Sequence, residues 1–373
     1  MALGMVSWPT VDSARSLHID YSDSGTNVAM ENLFPMNVTR QKDSEVIRYD
    51  ILGHVTGMTA GSYLGNKAKL IAAPKLEEHM LRPTYWKDAA EIGEKDIIRL
   101  RSIQSGKDRQ RSALEQWYIR RWQLNTRMSR RLEWTCWQAL ENAWAGGVTI
   151  DDQYIKIDYG LAAETPFLGG ALWTAYTTSD PVKDFQDELV SWRGKGVHYV
   201  DVYMNKVTAN HMCRSDKLRE QFAGTPLFYS LAPGNLNEEV LKIIDGGNPG
   251  QNTVRLRKFV INDGTYQDSS DTTQLYIPDG RVHIIGGRND AKRESLDSPF
   301  STPESLFGEW LSTPAIQGMA KGGGDLADVG AGPFLITDTS EIMDDPPRVS
   351  LRCGINGAPA IYHRNWCKRW QVT

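Results

Sequence analysis

Ser105 to Gly147 reads SGKDRQRSALEQWYIRRWQLNTRMSRRLEWTCWQALENAWAGG, and this stretch decides how the rest of the chain is organised. It contains no proline, and after Gly106 no glycine until Gly146 and Gly147. Leu114, Tyr118, Leu124, Met128, Leu132, Cys136, Ala139 and Ala143 recur mostly at three-, four- or six-residue steps, which place them on one helical stripe. Ser105 with Asp108 forms a variant of the capping box at the start, and Gly146 supplies a stop. The spacing predicts a helix over about 105–145, about 60 Å long at 1.5 Å per residue. Globular helices average about 11–12 residues, so a helix of this length spans an elongated body. Eight basic residues (Lys107, Arg109, Arg111, Arg120, Arg121, Arg127, Arg130, Arg131) and three acidic ones (Asp108, Glu115, Glu133) lie between Lys107 and Glu133. Two readings stand: a solvated face with local ion pairs, or a basic face turned toward other subunits or nucleic acid.

Upstream, residues 1–45 are polar and mixed with no sustained period, which reads as an extended arm. Met30, Leu33, Phe34 and Met36 give it an apolar grip that favours docking. In 46–88, short apolar pieces such as Tyr49–Leu52 and Ala68–Ile71 alternate with Gly57, Gly61 and Gly65. This reads as a long β-hairpin excursion with too little apolar material for its own core.

Downstream, 148–160 alternates like a strand pair. Helices are expected at 184–192 after Pro181, at 205–212, 216–222 and 237–244, and strands at 198–203, 253–261, 273–277 and 281–285. Residues 276–281 form a tight turn. Residues 287–333 are rich in Gly, Ser, Asp and Pro and read as loop. Strands resume at 348–353, 360–363 and 366–372. The fold class is α+β.

Composition narrows the function. The chain has 373 residues, 40% hydrophobic and 24% charged, with a formal net charge of −4. That balance excludes a bulk electrostatic binder of nucleic acid. Gly (33) and Pro (17) sit near background, so collagen-like and wholly disordered classes fall away. Tryptophan is the outlier at 12, pointing to many packed anchors in the core or between subunits. The four cysteines, Cys136, Cys213, Cys353 and Cys367, form no C-x-x-C pair and read as buried free thiols in a reducing compartment. No run reaches the roughly 20 apolar residues of a membrane span, and the N-terminus lacks the pattern of a signal peptide.

Chemistry-bearing motifs do not emerge. The seven histidines make no H-x-x-x-H or H-E-x-x-H pair, and His198 and His211 read as structural. There is no phosphate loop, no dinucleotide fingerprint and no G-x-S-x-G elbow. Asp151-Asp152 and Asp344-Asp345 are adjacent acids suited to turns and caps. No catalytic residue, metal or cofactor is expected.

The order of elements and three stretches carry a resemblance. IGEKDIIRLR (92–101) leads into the long helix; YIPDGRV (276–282) makes the later turn; DPPRV (345–349) through GAPAIYHRNW (357–366) closes the chain. In these the chain resembles tailed-bacteriophage major capsid proteins of the HK97-type fold, in particular the lambda-like major capsid protein E family. The resemblance spans about 45–373. It implies an N-arm (1–45), an E-loop (46–88) reaching over a neighbour, and a P-domain (89–179, with the spine helix, plus 341–373). It also implies an A-domain (180–340) at capsomer centres. It further implies self-assembly into hexamers and pentamers forming an icosahedral shell around double-stranded DNA, located in the virion capsid and assembled in the host cytoplasm.

Scaffold, portal and decoration proteins are the further partners the resemblance implies. Lys67, Lys69, Leu70 and Ile71 then become subunit contacts in the E-loop. Arg120, Arg121, Arg127, Arg130 and Arg131 form the basic spine face, toward the genome or an acidic scaffold. Some relatives crosslink Lys to Asn; Lys67, Lys69, Lys75, Asn356 and Asn365 are the residues here in matching regions, and crosslinking is not expected. An encapsulin-like compartment on the same fold and an unfamiliar α+β enzyme are the competing readings. Deleting 54–80 is expected to leave soluble protein that forms no shells.

Overall fold

The computed structural model describes residues 27–36, 47–52, 76–95, 107–150, 153–223, 231–236, 238–244, 254–267, 272–288, 307–313, 334–338 and 348–373. In chain order the described elements begin with a short helix in the arm, α1 (Val28–Asn32). A hairpin follows, β1 (Ile47–Leu52) with β2 (Leu76–Leu81), in register from Ile47 opposite Leu81 to Leu52 opposite Leu76. Next come β3 (Thr84–Ile92), the long helix α2 (Lys107–Leu140), and the small hairpin β4 (Val148–Ile150) with β5 (Gln153–Ile155). Then follow β6 (Thr165–Pro166), α3 (Pro181–Ser191), β7 (Tyr199–Met204), α4 (Lys206–Arg214), α5 (Asp216–Gln221) and α6 (Glu238–Ile244). The remaining strands are β8 (Arg255–Ile261), β9 (Thr265–Gln267), β10 (Thr273–Leu275), β11 (Arg281–Gly287), β12 (Gly308–Thr313), β13 (Phe334–Asp338), β14 (Val349–Ile361) and β15 (Cys367–Gln371).

Two sheets frame the body. One has the order β6-β15-β11-β7-β8. Its β11 is antiparallel to both β15 and β7, while β7 and β8 run parallel, joined through α4, α5 and α6. The other is built on β14. β3 lies along one edge, from Ile92 opposite Val349 to Thr84 opposite Gly357. β13 and β12 share the other edge, with Thr337 opposite Leu351 and Leu311 opposite Ala358. These ladders cross the division expected at 340, since β12 and β13 join β14 while β15 joins β11.

The long helix ends earlier than expected. Asn142 adopts φ 51°, the left-handed conformation that Asn tolerates better than most residues. The Asn142 N–H donates to Ala139 O and the Ala143 N–H to Gln138 O, both at 3.0 Å. That is a Schellman stop with Asn in place of Gly. The Asn142 side chain then bonds Tyr159 N (3.1 Å) and Asp158 Oδ1 (3.2 Å), so the stop is tied to the following loop.

Elsewhere local chemistry matches the elements. Asp180 caps α3 by accepting from Lys183 N at 3.1 Å, with Pro181 in the first turn. Asn205 caps α4 by accepting from Thr208 N at 2.8 Å. The same Asn205 amide donates to Ile277 O and to Asp279 Oδ1, fixing the 276–280 turn in which Gly280 has φ 76°.

α2 packs on β3 and β14. Near its start the contact is a compact cluster of Trp117 and Leu124 with Ile92, Val349, Leu351 and Cys353, and Met128 links this to the main core. Trp137, Trp144, Trp173, Trp192 and Trp310 are among the largest fully buried side chains, as the tryptophan content foreshadowed. All four cysteines are free and buried.

An ionic cluster joins the end of α2 to the β11–β15 pair. Glu141 Oε1 lies 3.0 Å from His283 Nε2 and 3.5 Å from Arg281 Nε, and Glu141 Oε2 lies 4.0 Å from Arg369 Nη1. Arg281 also pairs with Glu164, and Arg369 donates to the carbonyls of Glu141 and Ala162. Burial alone would raise the Glu141 carboxyl, but His283, Arg281 and Arg369 outweigh it and hold the group below its ordinary value.

Candidate functional site

The arm and the long helix meet at a buried carboxylate. Glu133 is fully buried on α2. Its Oε1 accepts from Ala29 N (2.8 Å) and from Trp137 Nε1 (2.8 Å), and its Oε2 accepts from Met30 N (3.0 Å). The two backbone donors belong to the first turn of α1, where helix N–H groups lack partners of their own. Ser129 Oγ donates to Asn27 Oδ1 at 3.0 Å, and Cys136 Sγ lies 3.3 Å from Met30 Sδ. Burial pushes Glu133 up to about 7 despite these three donors, and Glu31 adds to the rise.

Apolar packing completes the dock. Leu33 and Phe34 are buried, and Met30 and Met36 pack against the core, so the four residues expected to grip do so. Met36 bridges to Trp310, whose backbone N–H donates to Pro35 O at 3.2 Å, so the arm lines the outer edge of β12. Lys258 Nζ reaches Asn32 Oδ1 at 3.1 Å, adding a link from β8.

The spine arginines have divergent surroundings. Successive helical residues point about 100° apart, so Arg120 and Arg121 cannot share a face. Arg121 is 7% exposed, with its guanidinium 5.8 Å from the Trp117 ring centroid, and so departs from the expected basic face. Arg131 sits over Trp86 (4.8 Å) and Trp134 (5.2 Å). Arg127 is exposed and its Nε bonds Asp88 Oδ2 at 2.7 Å. Arg120 is half-buried, Arg130 is exposed, and the Arg130 carbonyl accepts from the Tyr276 hydroxyl at 3.3 Å. Lys67, Lys69, Leu70, Ile71 and Lys75 lie outside the described residues. Asn356 lies in β14 and Asn365 in the turn before β15.

Glu133 did not stand out in the sequence, where it counted only as one acid among arginines. Its backbone partners, Ala29 and Met30, are about a hundred residues away, and no local pattern encodes that distance. The one available signal was a lone acid among Leu132, Trp134, Cys136 and Trp137.

Among the described residues no group of three or more His, Cys, Asp or Glu is placed to hold a metal, and no helix is long and apolar enough to cross a membrane. The described contacts fasten chain segments to one another: a sheet laid along a long helix, and an arm docked against that helix and the edge of β12. The model of the family "Phage major capsid protein E" matches residues 28–294, more than two-thirds of the chain, and the chain belongs to that family. It is a capsid shell protein of the virion, and its described helices and strands make an α+β fold.

The fold is similar to that of a phage-related protein from Bordetella bronchiseptica, with 14% identity, a TM-score of 0.51, and coverage of 93% of this chain and 92% of that one. Weaker likenesses include the capsid of cyanophage P-SCSP1u (9% identity, TM-score 0.49, 92% and 88% covered). Another is the putative capsid protein of an Escherichia coli prophage (15%, 0.46, 80% and 80%). No curated protein matches the chain in sequence.

Proposed function

We propose that copies of this chain form hexamers and pentamers that close into an icosahedral shell around double-stranded DNA. Assembly takes place in the host cytoplasm, with scaffold, portal and decoration proteins as further partners. The work is structural rather than catalytic. Family membership over residues 28–294 is the observation that carries this reading. The division into N-arm, E-loop, P-domain and A-domain belongs to the same proposal. So do the E-loop contacts at Lys67, Lys69, Leu70 and Ile71. Arg127 and Arg130, the exposed members of the basic set, are the ones that meet a neighbour or the genome.

The β1–β2 hairpin supports an excursion that borrows its burial from a neighbouring copy. Its register also provides a clean test. Leu52 stands opposite Leu76, so residues 53–75 are replaceable by a two-residue Asn-Gly turn. The full chain, expressed with and without a candidate scaffold, is expected to give closed shells or capsomer rings by negative-stain electron microscopy. The short-turn variant is expected to stay folded and soluble without forming shells. A uniform monomer or dimer of the full chain under all conditions overturns the proposal. Normal shells from the variant overturn the E-loop assignment.

A further inference from the structure

One face of α2 changes character halfway along. Ile119, Trp122, Thr126, Ser129, Glu133 and Trp137 follow three- and four-residue steps and share a stripe. In the second half this stripe is sealed: Glu133 and Trp137 are fully buried, with the arm over Glu133. In the first half it is open, with Ile119 45% and Trp122 48% exposed. An indole left that open stands out on a helix that buries Trp117 and Trp137.

The direction of the arm says what continues along the stripe. Met30 meets Cys136, the Ala29 and Met30 N–H groups meet Glu133, and Asn27 meets Ser129. Lower-numbered arm residues therefore lie against lower-numbered residues of α2. Asn27, where the described arm begins, lies beside Ser129, and the direction from Met30 to Asn27 points toward Thr126 and Trp122. From Ser129 to Trp122 is seven residues of helix, about 10.5 Å at 1.5 Å per residue. The six residues from Asn27 back to Tyr21 reach up to about 20 Å when extended.

The sequence there suits the stripe. Residues 22–26 are polar and small, a tether. Before them, Leu17, Ile19 and Tyr21 alternate with His18 and Asp20, which gives one apolar face to an extended segment.

We propose that residues 17–21 of the same chain cover the Ile119–Trp122 face of α2. The arm then becomes a strap along the long helix, and the contact does not depend on shell formation. The test is a cysteine pair in the full chain, Tyr21→Cys with Trp122→Cys, oxidised and read on a non-reducing gel with peptide mass mapping. The native thiols are all buried and stay out of the reaction. The expected product is an intrachain disulfide at monomer mass, formed about tenfold or more faster than in a Tyr21→Cys, Val190→Cys control, because docking raises the effective concentration. A ladder of dimers and higher species assigns the face to a second copy and overturns the proposal, as does a yield equal to the control. Independently, Trp122→Asp is expected to speed tryptic cleavage after Arg15 several-fold, and an unchanged rate overturns the proposal as well. Trp122 is half-exposed, so neither substitution opens the core.

Discussion

Glu133 shows how far burial can outweigh hydrogen bonding at a single residue. Three donors favour its charged form, yet desolvation still carries it from an ordinary 4.5 up to about 7. The folded chain thus binds a proton here more tightly than the unfolded chain. Stability from this site is complete below about pH 4.5 and is lost as pH rises through about 7. Glu133→Gln, neutral at every pH, isolates the effect. The melting temperature of the parent minus that of the variant should fall steadily between pH 5 and 8. A difference that stays flat over that range places Glu133 at an ordinary value. Glu133→Ala strands the Ala29, Met30 and Trp137 donors, and is expected to cost about 1–3 kcal/mol in chemical denaturation.

Among the elements, α2 depends on the cluster near its start. Leu124 is 3% exposed among Ile92, Trp117, Val349, Leu351 and Cys353. Leu124→Ala is expected to cost about 2–5 kcal/mol, from lost transfer energy and the cavity left behind. Leu124→Asp places a carboxylate in a packed cluster of apolar groups, and should abolish the cooperative unfolding transition. Met128→Asp, at the link between the two clusters, is expected to do the same. A normal transition from either Asp variant, read by circular dichroism, contradicts this account of the spine.

The elements also differ in how well they could be read. α2 was legible because its period persists over many turns without Gly or Pro. Its end was not, because Asn142 rather than Gly146 takes the left-handed turn. β14 looked like two shorter strands, since Gly354, Gly357 and Pro359 interrupt its pattern. Gly357 is there because a Cβ would lie 2.7 Å from Leu311 O and Trp310 Nε1. β12 lies in the middle of 287–333, a stretch that reads as loop in the sequence. Its Glu309, Ser312 and Thr313 are buried polar residues, which hydropathy reads as surface. The arm's dock was half legible: its four apolar residues were visible, but the carboxylate that receives its backbone was not.

For the molecule as a whole, the Glu141 cluster joins the long helix to the sheet containing β11 and β15. Glu141 is held below its ordinary value, so its contribution is present above about 4.5 and is lost as pH falls through the lowered value. Acid should therefore loosen the helix–sheet junction. Glu141→Ala leaves Arg281, Arg369 and His283 facing one another without that carboxylate, and is expected to cost about 3–5 kcal/mol by denaturant titration. It should also flatten the acid limb of the stability curve. A loss below about 1 kcal/mol would show that solvent reaches the cluster and screens it.

β14 has a mechanical consequence. It is bonded along both edges, to β3 on one side and to β12 and β13 on the other. A pull along its axis meets those ladders in shear, so many bonds must break at once. Among the described residues the β1–β2 hairpin has one ladder, and a pull across its Ile47–Leu81 end takes those bonds one after another, like a zipper. The same force is therefore expected to open the hairpin before it lengthens β14, and single-molecule pulling on the folded chain would read that order.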